Sequence, residues 1–126
     1  MEVPAHIALL LNSLSRFNPV VSAGSDSHCV RFEHGEKAAK LTWPTQVAEV
    51  FFDFMKDGEI VLSESVEYYD DETRSEQAED VARVLLNFLL HEVRVVQSGA
   101  FLKHKELQSC RGGEWLSIFR LRPSEV

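Results

Sequence analysis

Cysteine is scarce in this 126-residue chain, which holds only Cys29 and Cys110, far apart. Such a pair makes neither a disulfide framework nor a zinc ribbon, so the expected compartment is a reducing cytoplasm. Glycine and proline are also few, at six and four, which excludes collagen-like and low-complexity chains. No apolar run approaches the roughly 20 residues that a spanning helix needs; near the start the longest is Ile7 to Leu11. The chain opens Met-Glu rather than with a basic stretch, so neither secretion nor membrane insertion is expected. Also missing are a Gly-x-Ser-x-Gly elbow, a phosphate-binding glycine loop ending in Lys-Ser/Thr, and a dinucleotide fingerprint. What is present is the composition of a globular domain, 44% hydrophobic and 26% charged, long enough to bury one core. We read residues 1–126 as a single domain, with 123–126 as a frayed tail.

Positive charge is the scarcer sign, and the net charge is −7. Its distribution says more than its total. Between Asp57 and Asp80 lie ten carboxylates and one base, Arg74, a local −9 that leaves the other 102 residues at +2. A field of that sign repels phosphate backbones and anionic lipid and attracts cationic partners, so neither nucleic acid nor membrane is an expected ligand.

Hydrophobic spacing predicts the elements. Ala5, Ile7, Ala8, Leu9, Leu10, Leu11 and Leu14 recur at helical intervals after Pro4, which predicts a first helix over about 4–16, ended by Phe17-Asn18-Pro19. Residues 22–27 are small and polar and read as a loop or short irregular strand. A turn at His34-Gly35 would make a hairpin pairing Val30 with Ala39 and His28 with Leu41, with Phe32, Val30, Ala39, Leu41 and Trp43 on one face. After Pro44 both helix and strand fit, and register favours strands. A three-residue loop with Gly58 left-handed pairs Phe54 with Ile60 and Phe52 with Leu62, gathering Val50, Phe52, Phe54, Ile60, Leu62 and Val66 on one face. Thr73-Arg74-Ser75-Glu76 has capping-box spacing ahead of a second helix, whose stripe of Ala78, Val81, Ala82, Leu85, Phe88 and Leu89 would lie across a sheet, with Glu79 and Arg83 as an exposed i,i+4 pair. Further strands are expected at Val93–Val96, at about 101–108 and at about 115–121. The predicted fold is α+β, a mainly antiparallel sheet of about six to seven strands with two helices packed on one face.

The candidates for chemistry are few. His28, Cys29 and His34 supply three ligand types in one hairpin, but strand neighbours point to opposite faces, and His91, His104 and Cys110 lack ligand spacing, so no metal and no cofactor is expected. A small hydrolase or ligand-binding domain using Cys29 or His28/His34 stays an alternative, because a nucleophile and base can converge only in space. The acids from Glu64 to Asp80 look wet rather than shifted for acid-base work, so the expectation is a protein that is not an enzyme.

Glu64-Ser65-Val66-Glu67-Tyr68-Tyr69-Asp70-Asp71-Glu72 combines dense carboxylates with two tyrosines, a mixture suited to binding a basic protein. The partner-binding residues expected are Glu64, Glu67, Tyr69, Asp70, Asp71 and Glu72, with Glu76, Glu79 and Asp80 at the edge. If Val66 faces the core, Tyr69 points outward beside Glu67 and Glu49. An early helix, a meander of strands and an acidic strand-to-helix junction over residues 28 to 96 resemble the small immunity proteins of bacterial polymorphic-toxin and contact-dependent inhibition systems. The likeness lies in pattern, not in a motif, and carries over no residue. It implies a cytoplasmic antitoxin that blocks a cognate toxin domain, often a basic nuclease, with carboxylates standing in for phosphates. The runner-up is a type III secretion-like chaperone, which is also small, acidic and α+β. Such chaperones usually close on a helix and need an exposed apolar groove, whereas this chain ends in Trp115–Leu121 and a proline.

Overall fold

The computed structural model describes residues 3–45, 49–67, 74–98 and 104–120. Among these, the chain runs α1 (Ala5–Ser13), β1 (Val20–Ala23), β2 (Ser27–His34), β3 (Lys37–Pro44), β4 (Glu49–Lys56), β5 (Glu59–Glu67), α2 (Arg74–Leu90), β6 (Val93–Ser98), β7 (His104–Arg111) and β8 (Glu114–Ser117). The class is α+β, as expected, but the strands form two antiparallel sheets, β1-β2-β3-β4-β5 and β6-β7-β8, rather than one. The first helix is shorter than the spacing predicted. Pro4 stands extended at its N-cap, a 3-10 turn follows at Ser15–Phe17, and Asn18 turns left-handed with φ 52°. Residues 22–27, read as a loop or short irregular strand, hold the end of β1, whose Val21 pairs with Val30, and the start of β2 at Ser27.

Both hairpins of the large sheet keep the expected faces, Ile60 apart, and change register by two residues. Val30 pairs with Leu41 and Phe32 with Ala39, because the two-residue turn is Gly35-Glu36 and not His34-Gly35. Only Gly35 of that pair has positive φ, at 60°, the requirement for the first central position of a type II′ turn. In the next hairpin Lys56 pairs with Glu59 around Asp57 (φ 53°) and Gly58 (φ 81°), a type I′ turn in place of the three-residue loop. The register then shifts at Phe54/Met55, so that Phe54 meets Leu62 and Met55 meets Ile60, with Val61 unpaired between them. That bulge turns Ile60 outward, 61% exposed, and removes it from the expected core. The other expected core residues, Val50, Phe52, Phe54, Leu62, Val81, Leu85, Phe88 and Leu89, are buried in one cluster with Ile7, Leu10 and Phe17.

The two helices pack on each other, and α2 crosses the buried face of the large sheet at β2 and β3. Phe88 tilts against Phe54 at 4.8 Å between rings. Lys37 Nζ donates to the carbonyls of Phe88 and His91 at the end of α2, satisfying acceptors that a helix C-terminus leaves without intrahelical donors. Arg111 at the end of β7 donates to buried Asn87 Oδ1 at 2.9 Å. Leu107 and Ile118 join the same cluster, so the small sheet shares the core of the large one. The strand expected at 115–121 stops at Ser117 and becomes a 3-10 turn over Ile118–Arg120. Thr73 of the expected capping box and the tail 123–126 lie outside the described residues.

Candidate functional site: the acidic edge of the large sheet

Strand β5 carries Glu59, Glu64 and Glu67 and no base, and it is an edge strand of the five-stranded sheet. Alternation divides its acids between two faces. Glu67 pairs with Glu49, Ser65 with Phe51, and Ser63 with Asp53, all on the face away from the helices. Glu64 is opposite Phe52 and shares the inner side with Leu62 and Val66, yet it is exposed. Ser63 Oγ donates to Asp53 Oδ1 at 2.6 Å. Among the described residues no cation stands within ion-pair distance of Glu49, Glu64 or Glu67. Two carboxylates directly opposite each other across a strand pair, with no base between them, are mutually destabilising.

The rest of the expected surface is distributed as follows. Glu76 and Glu79 are exposed on the first turns of α2. Asp80 is half-buried and accepts from Arg83 Nη1 at 2.8 Å, so the ion pair of Arg83 runs to i−3 rather than to Glu79, the i−4 residue expected. Tyr69, Asp70, Asp71 and Glu72, together with Tyr68, fall outside the described residues. One residue escaped the sequence reading. Phe51 is 42% exposed on the outer face between Glu49 and Asp53, a large apolar side chain rimmed by carboxylates. The sequence carried its signal, since with Val50, Phe52 and Phe54 inward the intervening phenylalanine must point out.

The competing chemistries do not assemble. Cys29 is on the outer face with Sγ 3.6 Å from Thr42 Oγ1, whereas His28 pairs opposite Trp43 on the inner side and His34 stands edge-on to Phe17 at 5.4 Å. Nucleophile and base are thus on opposite sides of one strand. Among the described residues no group of three or more His, Cys, Asp or Glu could hold a metal ion, and no helix is long and apolar enough to cross a membrane. The exposed large apolar residues there, Leu9, Val20, Phe51, Ile60 and Leu90, belong to five different elements. No family model matches the chain, and no curated protein or solved structure matches it.

Proposed function

We propose that the protein is a non-enzymatic inhibitor that binds a basic protein partner through its acidic edge, and that it acts as a bacterial cytoplasmic immunity protein against a toxin domain, a nuclease being the case in which carboxylates would occupy phosphate positions. The observation that carries this reading is the uncompensated pair Glu49–Glu67 beside exposed Phe51. Natural sheets seldom keep like charges opposite each other without a reason, because neutral pairs are more stable there. A cationic partner would remove the repulsion, and an aromatic side chain within the patch supplies apolar area that desolvates on contact. Glu64 and Glu67, with Tyr69, Asp70, Asp71 and Glu72 following in sequence and Glu76, Glu79 and Asp80 at the margin, form the contact set.

The test is charge reversal at Glu67, Asp70 and Asp71 together, each to Lys, in a tagged chain used to capture partners from its host. The original chain is expected to retain a basic protein that the variant loses, with the variant unfolding at the same or a slightly higher denaturant concentration, since Lys at 67 removes the repulsion from Glu49 and exposed acids otherwise contribute little to the fold. Association with the captured partner should slow as salt rises, because screening shortens the steering field. Equal capture by the variant would remove the acidic edge from the mechanism.

A further inference from the structure

A cleft of about 410 Å³ runs beside β5, lined by four consecutive residues, Glu64 to Glu67. Successive strand residues point to opposite faces, so a cleft that touches all four follows the backbone edge of the strand and not one face. That edge is open: among the described residues no strand pairs with β5 on the side away from β4. Among the described residues the opposite wall is also an open edge. Lys105, Glu106 and Leu107 of β7 line the cleft; they pair with β6 on one side, whereas β8 reaches only from Gln108 to Arg111 on the other. Val66, Leu107 and Phe119 give the cleft an apolar floor. A second cleft of about 380 Å³ continues it toward the hairpin tip, sharing Lys105 and Leu107 and adding Val61 and Val95.

Charge along this groove is ordered. Glu64, Glu67 and Glu106 line the end near the close of β5, Lys56 and Arg94 line the end near its start, and Lys105 lines both. We infer that the groove receives an extended segment of the basic partner, which adds to β5 as an antiparallel strand with its lysines or arginines at the N-terminal end and an acidic residue at the C-terminal end. This rests on the reading of the acidic edge given above and specifies the form in which the partner meets it. Main-chain groups of β5 would supply affinity, alternate apolar side chains would enter the floor, and the charge gradient would fix direction. Antiparallel pairing of β5 with a second copy would also set an acid end against a base end, so self-pairing is the competing occupant that the concentration dependence below separates from the partner segment.

The probe is a fluorescent synthetic peptide of alternating lysine and valine, with glutamate replacing lysine toward its C-terminus. Titrated into the full chain, it should give saturable anisotropy and slow amide exchange at 61–67 and 105–107. The same residues in reverse order should bind about tenfold more weakly, and N-methylation of alternate peptide nitrogens facing β5 should abolish binding, since each removes a strand-addition bond. Absence of binding, indifference to N-methylation, or protection confined to the β1 edge would overturn the inference. So would protection of 61–67 that grows with protein concentration without peptide, which would assign the edge to self-pairing. Failure of the peptide with charge reversal still removing the captured partner would leave the acidic edge in place and discard only strand addition. Peptide binding with capture indifferent to charge reversal would do the opposite.

Discussion

His6 stands edge-on to Trp43 at 4.6 Å between rings, and the Arg74 guanidinium lies 5.7 Å from the same indole. Burial, then Arg74, then His28 hold the His6 imidazole below its ordinary value of 6.5. His91, at the end of α2, is lowered by burial first and then by Arg111 and Lys37. Both shifts favour the neutral ring in the folded chain, so between pH 6.5 and the lower folded values the unfolded chain binds more protons. The stability they contribute is fully present above pH 6.5 and is lost as pH falls through the folded values. Thermal melting at fixed ionic strength should therefore show a midpoint that declines from about pH 7 to about pH 5, before most carboxylates titrate. The double variant His6→Gln, His91→Gln should flatten that slope; an unchanged slope would refute the assignment. Residue type alone gave no hint of this, because the neighbours that lower His6 come from α2 and β2, distant in sequence.

Turns decide register at the scale of the element, and Gly58 is the clearest case. Its φ of 81° is left-handed, and nothing lies within 4 Å of where a Cβ would stand, so the cost of Gly58→Ala is backbone strain alone, about 1–2 kcal/mol. Gly24 has no positive φ, and its nearest neighbours to an added Cβ are at 3.7 and 3.8 Å from Ser27. Gly24→Ala should leave stability unchanged or raise it by about 0.4–1 kcal/mol, through the unfolded chain. Urea unfolding of the two variants should show opposite signs. The same physics explains what the sequence revealed. A period of two survives a displacement by two residues, so the buried faces of β2 to β5 were legible although both registers were not. Which residue next to a glycine occupies the turn depends on φ, and alternation does not report φ. A bulge breaks the period itself, and Ile60 was assigned to the wrong side for that reason.

Over the whole molecule, the division into two sheets was not legible, because each strand advertises a buried face but not the partner it will pair with. Charge was legible as a concentration of ten acids between Asp57 and Asp80, and alternation placed Glu67 and Glu49 on one outward face, but their direct opposition was not legible: only the register of β4 on β5 shows Glu49 facing Glu67. That pair makes a last prediction possible. If the carboxylates repel across the strands, Glu67→Gln should raise stability by about 0.2–1 kcal/mol, and so should Glu49→Gln. The double variant should gain little beyond either single one, since each already removes the same repulsion. At about 1 M salt, where the screening length falls to about 3 Å, the gain should vanish. A solvated acid with no close like charge would show no such coupling. The cost should appear in binding: a neutral edge attracts a basic partner less, so the variants that melt higher should associate more slowly at low salt, and that opposition of signs is the mark of charge kept for recognition rather than for the fold.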